Sequence, residues 1–242
     1  TETLPRIHYR RARRQSKKPP HLHDARRTAL LDVESIGIIT VALDDELTDV
    51  RILAADVLEA MQPDDAADLL GELPEGTAAI LLGAMEPEEA EPLRTLLTYD
   101  EDTAGGMMTT EPVVLGADSS IAEALATVRR AELHPALAAM VFVCRSPLEV
   151  PTGKLLGVVH LQRMLREPPH ESIGAVIDSD IEPLDVDASL GEVTRSMANY
   201  NMISLPVVDS ERRLLGAVTV DDVLDHILPD DWRRDDGEVR RG

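Results

Sequence analysis

Carboxylates are the main chemical resource of this chain. Against 24 Lys and Arg stand 45 Asp and Glu, giving a formal net charge of −21. The imbalance is uneven. Residues 1–27 hold nine basic and two acidic side chains, and the other 215 residues hold 15 basic and 43 acidic ones, a net of −28. So acidic a body repels nucleic-acid phosphate and attracts cations, and no nucleic-acid partner is expected. Other site-building residue types are sparse. Cys144 is the single cysteine, so it forms no intramolecular disulfide and no thiolate cage. It lies in the apolar run Met140-Val141-Phe142-Val143-Cys144, where a buried, inert thiol is expected. His21-Leu22-His23-Asp24 has metal-ligand residue types, but one short cluster does not make a site. No Ser/His/Asp or Cys/His constellation and no phosphate-cradling glycine loop is present, so the chain reads as non-enzymatic.

The elements that position these carboxylates come as two repeats. The first has a twelve-residue period: Ala55 to Ala66, Ala67 to Ala78, and Ala79 to Ala90, followed by Glu91-Pro92-Leu93. Each unit has an apolar cluster and then a proline among acids. Proline has the fixed φ of a first helical turn, and acids there face the positive end of the helix dipole. The pattern predicts short helices starting at Pro63, Pro74 and Pro87, with a degenerate earlier unit at Leu43 to Leu47. Helices this short need stacked neighbours, so their apolar residues form a core and their acids stay outside.

The second repeat is longer. Ser120 with Glu123, and Ser189 with Glu192, have capping-box spacing and open two helices. Ile121, Leu125 and Val128 share one helical face, as do Leu190, Val193 and Met197. Strands are predicted at Met140 to Cys144 and Leu155 to Val159, and again at Leu205 to Val208 and Leu214 to Val218. The order is strand, helix, strand, strand, helix, given twice, with an extra loop from Pro147 to Gly153 in the first copy. The fold class expected is α+β, a short all-α repeat followed by two β-α-β-β-α units.

The segment Leu205-Pro206-Val207-Val208-Asp209, with Leu214-Leu215-Gly216-Ala217-Val218-Thr219-Val220-Asp221-Asp222-Val223-Leu224, resembles half of a CBS domain pair. The linker Tyr99-Asp100-Glu101-Asp102-Thr103-Ala104-Gly105-Gly106-Met107-Met108-Thr109 extends the likeness. Together with the preceding acidic array, it is similar to the cytosolic region of MgtE-type magnesium channels, from about residue 43 to 228. The resemblance implies Mg2+ ligands at Asp100, Glu101, Asp102, Asp222 and Asp225. Mg2+ prefers oxygen donors and keeps much of its water, so one or two carboxylates serve each ion. Ser189, Gly191 and Asn201 stand where such channels commonly place carboxylates or nearby ligands, which predicts a shallower Mg2+ response. The CBS resemblance also implies an adenine-nucleotide site for ATP or a relative, with Thr219 toward phosphate and Asp222 toward ribose. In the first copy, His160 and Arg163 occupy those places, so at most one conventional nucleotide site is expected. The alternative for Thr219 and Asp222 is a plain helix cap.

The resulting division is a basic disordered tail (1–28), the helical repeat domain (29–98), an acidic linker (99–106), two CBS domains (107–168 and 169–229) and a charged tail (230–242). The family likeness implies a homodimer through the CBS pair and a membrane transport domain, attached or partnered. The segment after Pro229 shows no start of an apolar helix, which favours a membrane-free relative. The expected location is cytoplasmic. The function expected is Mg2+-dependent rearrangement of a regulatory module, with nucleotide sensing free of metal as the alternative.

Overall fold

The computed structural model describes residues 48–131 and 133–228. The two predicted tails, the unit at Leu43 to Leu47 and the His21–Asp24 cluster lie outside the described residues.

The array consists of α1 (Thr48–Leu58), α2 (Pro63–Gly71), α3 (Glu75–Ala84) and α4 (Pro87–Leu96). Pro63 and Pro87 occupy the first helical position of α2 and α4, while Pro74 is the N-cap of α3. Each proline thus sits where a missing N–H costs least. The twelve-residue period makes alternate helices pack together, α1 on α3 and α2 on α4.

Each β-α-β-β-α unit forms a three-stranded sheet. In the first, β1 (Val114–Gly116) runs parallel to β2 (Met140–Cys144), which is antiparallel to β3 (Leu155–His160). In the second, β4 (Leu184–Asp185), β5 (Ser204–Val208) and β6 (Leu214–Thr219) repeat that order. The helices of the first unit are α5 (Ile121–Val128), a short α6 (Pro135–Ala138) that the sequence pattern did not announce, and α7 (Leu161–Met164). Those of the second are α8 (Leu190–Tyr200) and α9 (Val220–Ile227). Both capping boxes form. The Ser120 amide donates to the Glu123 carboxylate at 2.7 Å, and the Ser189 amide to that of Glu192 at 2.9 Å.

The units interlock by a reciprocal exchange. Thr109, ahead of β1, trades two backbone hydrogen bonds of 3.0 Å with Ala217 on β6. Asp178, ahead of β4, does the same with Val158 on β3, at 2.8 and 3.0 Å. Between the sheets Met140, Phe142, Cys144, Val158, Leu214 and Ala217 form a dry layer. Burial pushes the Cys144 thiol above its ordinary pKa, in line with an inert role.

The array shares its core with the second unit. Leu58, Leu70, Leu81, Leu93 and Leu96 belong to one buried cluster with Met107, Met108, Val193, Met197, Leu205 and Val223. The linker is fixed to that body. Ala104 N–H donates to Ala188 O and Gly105 N–H to Val186 O, both at 2.8 Å, and Leu190 N–H donates to Asp102 O at 3.0 Å. Gly106 fits because it lacks a side chain: a Cβ there would lie 2.7 Å from the Cα of Glu101. Array, linker and second unit therefore form one apolar body whose polar edges must meet.

Candidate functional site

Where α2 meets α9, the meeting edges carry like charge. Asp64 and Asp65 stand in the first turn of α2, and Asp221 and Asp222 in the first turn of α9. Each pair suits its own helix dipole. Packing brings the two helix starts together, and the two local preferences then oppose each other across the seam.

Asp64 shows the result most clearly. It is 5% exposed, and its Oδ1 is buried without a hydrogen-bond partner. Loss of water raises its pKa well above the ordinary carboxylate value; repulsion by Asp222, Asp65 and Asp68 adds to the rise, against a backbone hydrogen bond that lowers it. Asp222 is pushed up to about 7, first by desolvation, then by Asp221 and Asp65, against hydrogen bonds from Thr219 that favour the ionised form. Asp64 and Asp222 repel each other when ionised, so loss of their protons is a property of the pair. Asp68, one turn beyond Asp64, is pushed up to about 6. One side of Asp68 meets solvent, yet desolvation on its inner side comes first among the causes. His226 pulls in the other direction, and Asp65, Glu101 and Glu72 add repulsion.

The predicted ligands divide between places. Asp222 lies in the seam. Asp225, half-buried, follows it on α9. Glu101 reaches the seam through its influence on Asp68. Asp100 and Asp102 are exposed; Asp100 Oδ1 accepts the Asp102 amide at 3.1 Å, and the Asp102 carbonyl holds the linker against α8. Asn201 has left-handed geometry (φ 53°) and ends α8.

Asp64, Asp65 and Asp68 do not stand out in the sequence, because acids after Pro63 look like ordinary first-turn partners of the helix dipole. The overlooked signal was Asp68, four residues after Asp64. Like charges at that spacing repel on one face and ask for a counter-cation.

The site fits Mg2+ in donor chemistry. It supplies hard oxygens, surplus negative charge and a buried lone pair without a partner. It is a seam and not a cage: among the described residues, no group of three or more His, Cys, Asp or Glu is placed to hold a metal ion. Water would have to complete any shell.

Thr219 and Asp222 also come together as the second reading requires, but as a capping box. The Thr219 amide donates to Asp222 Oδ2 at 3.2 Å, and the Thr219 hydroxyl lies 2.6 Å from that oxygen and very close to Asp221 Oδ1. Asp221 also pairs with His134 of the first unit, at 3.5 Å. In the first unit His160 caps α7, its Nδ1 accepting the Gln162 amide at 3.1 Å, and Arg163 binds Glu167 at 2.7 Å. A cavity of about 1030 Å³ lies between α4 and the first unit, and its charged lining is Glu88, Glu91, Glu111, Glu149 and Arg130. That balance is wrong for phosphate, and neither Thr219 nor Asp222 lines it.

Comparison with known proteins sets this geometry in context. Residues 45–102 match the family described as the MgtE intracellular N domain, and residues 104–170 and 173–229 each match the CBS domain. The magnesium transporter MgtE of Thermus thermophilus is 33% identical over 171 residues, 71% of this chain and 35% of that protein. MgtE of Bacillus subtilis is 27% identical over 219 residues, 88% of this chain and 47% of that protein. The chain thus spans less than half the length of these relatives. The crystal structure of the soluble part of a magnesium transporter superimposes with a TM-score of 0.70 at 26% identity, over 83% of this chain and 75% of that one. The cytosolic domain of the Mg2+ channel MgtE in complex with ATP gives 0.66 at 29% identity, over 86% of this chain and 77% of that one. Among the described residues no helix is long and apolar enough to cross a membrane.

Proposed function

Since this chain belongs to the CBS-domain family and joins its CBS pair to an MgtE intracellular N domain, we propose that it is a Mg2+-sensing regulatory module of, or related to, an MgtE-type transporter. The observation that carries the reading is the seam, where Asp64 of the array is buried without a partner and faces Asp222 of α9. At low Mg2+ the repulsion loosens the contact between α2 and α9. Mg2+ neutralises it and lets the two close. Asp64 and Asp222 bear on the ion from the two sides of the seam, Asp68, Glu101 and Asp225 add negative charge beside it, and Asp100 and Asp102 act at longer range from the linker. The module acts in the cytoplasm on a membrane transport domain, carries no catalytic activity of its own, and pairs as a homodimer through its CBS units.

Magnitudes favour several ions per molecule. A cation at three times its Kd stabilises the bound form by ~0.8 kcal/mol per site. Moving an equilibrium from 1:99 to 99:1 takes about 5.5 kcal/mol. A module with fewer sites gives a graded response.

A second reading, binding of ATP or another adenine nucleotide, is supported by the similarity to an MgtE cytosolic domain in complex with ATP. It uses Thr219 and Asp222, and the nucleotide must first displace the capping box. Calorimetric titration with MgCl2, and separately with ATP, tests both. Heat with MgCl2 that disappears in Asp64→Asn and Asp222→Asn supports the seam. Heat with ATP in EDTA, and none with MgCl2, would replace the first reading by the second.

A further inference from the structure

We propose that the basic segment Arg6-Ile7-His8-Tyr9-Arg10 of this chain docks as an added strand in the cavity between α4 and the first unit, tying the array to that unit. The inference is independent of the Mg2+ reading, since no acid of the seam lines this cavity.

The array shares its buried core with the second unit, whereas the first unit keeps a core of its own. The cavity stands between array and first unit. Its apolar lining includes Met108, Pro112, Val113, Val114, Leu115 and Leu215. At about 1030 Å³ it reaches the upper end of the about 300–1,000 Å³ that small ligands take, which is room for several residues of chain. One strand beside it is open. β1 stands at the edge of its sheet, and its three residues are half-buried where those of β2 are fully buried. The Val113 carbonyl accepts the Phe142 amide at 2.8 Å, so the amide and carbonyl of Val114 point the other way, away from β2. Thr110 also lines the cavity, and its Oγ1 is buried without a hydrogen-bond partner. An open strand edge recruits an extended segment through main-chain hydrogen bonds, while neighbouring side chains select which segment.

Here the selection is for positive charge. Four glutamates in the lining face a single basic residue, Arg130. Among the described residues Glu88, Glu111 and Glu149 have no ion-pair partner, and Glu91 has only Arg94 of its own helix, at 3.6 Å. Residues 6–14 of this chain match both features. They carry five Arg and no acid. From Arg6 to Arg10 polar and apolar residues alternate, so an extended backbone sets Ile7 and Tyr9 on one side and Arg6, His8 and Arg10 on the other. One side suits the apolar lining and the other the glutamates. The 37 residues from 11 to 47 precede α1. At up to ~3.3 Å each they reach across a body whose radius of gyration is about 16 Å.

A nitroxide attached through Ala12→Cys on the whole chain tests the contact by NMR, Cys144 being too buried to take the label. The amides of Val113, Val114, Leu115 and Glu149 are expected to broaden selectively. Combining Glu111→Lys with Glu149→Lys should abolish the broadening, and so should Ile7→Asp with Tyr9→Asp. The second pair lies outside the cavity's own walls, so an unchanged amide spectrum for residues 48–228 separates loss of docking from loss of fold. Broadening that survives both pairs, or that falls on α2 and α9 instead, would overturn the proposal. So would an absence of broadening, and a label immobilised only on adding vesicles of anionic lipid would assign the segment to a membrane surface instead.

Discussion

Asp64→Asn tests the energetics of the seam directly. Asp64 keeps its proton in the folded chain far above the pH at which it loses it when unfolded. The folded state therefore binds more protons than the unfolded state. Stability is fully present below the unfolded value of 3.8 and declines as pH rises toward the folded one. Asp222 acts in the same direction between 3.8 and about 7. Each pH unit in that window is worth ~1.4 kcal/mol per group as an upper figure. Relaxation and water entry reduce this, so a gain of about 2 kcal/mol at pH 7.5 is expected for Asp64→Asn, an amide that never ionises. In a domain of this size that raises Tm by about 4–8 °C. At pH 4 the unmodified chain holds the proton in both states for much of the time, and the difference shrinks toward zero. Thermal melts across pH 4–8 in EDTA measure the effect. The same variant should lose the thermal stabilisation that MgCl2 gives the unmodified chain, because the ion needs the carboxylate. A Tm offset that is constant with pH, or a variant less stable throughout, would refute the argument.

Other expectations follow from single contacts. Because protons must leave Asp64 and Asp222 for Mg2+ to enter, binding should strengthen from pH 6 to pH 8 and release protons, measured by calorimetry in buffers of different ionisation enthalpy. Gly106→Ala places a Cβ against the backbone of Asp100 and Glu101; increased protease cleavage between residues 99 and 106 should report the displaced linker. Thr219→Ala removes the α9 cap at a cost of about 1 kcal/mol, seen in denaturant melts. If the second reading holds, it also abolishes ATP heat. Phe142→Ala opens the layer between the two sheets at about 3–5 kcal/mol, loosening the CBS pair while leaving the array intact by hydrogen exchange.

The sequence was most legible where local chemistry decides the structure. The prolines of the array, the two Ser–Glu capping boxes and the apolar runs at Met140–Cys144 and Leu214–Thr219 each mark their element in the local sequence, though the short helices still need their neighbours to form. The seam was only half legible. Asp222 stood out because a resembling motif contains it, whereas Asp64, Asp65 and Asp68 looked like ordinary partners of a helix dipole. Their role depends on α2 lying against α9, through a core that joins Leu70 to Val223, and no local pattern announces that long-range packing. The linker acids divide between roles. Three consecutive carboxylates look like a ligand set; Asp100 accepts the Asp102 amide and the Asp102 carbonyl holds α8, while Glu101 acts on Asp68 of the seam.

Hydrogen–deuterium exchange with and without MgCl2 tests the central claim most directly. The account predicts that amides in residues 63–71 and 220–227 gain protection together as Mg2+ rises, and that Asp64→Asn removes the gain. Mg2+ binding that leaves exchange in both helices unchanged, or protects only segments remote from them, would contradict it.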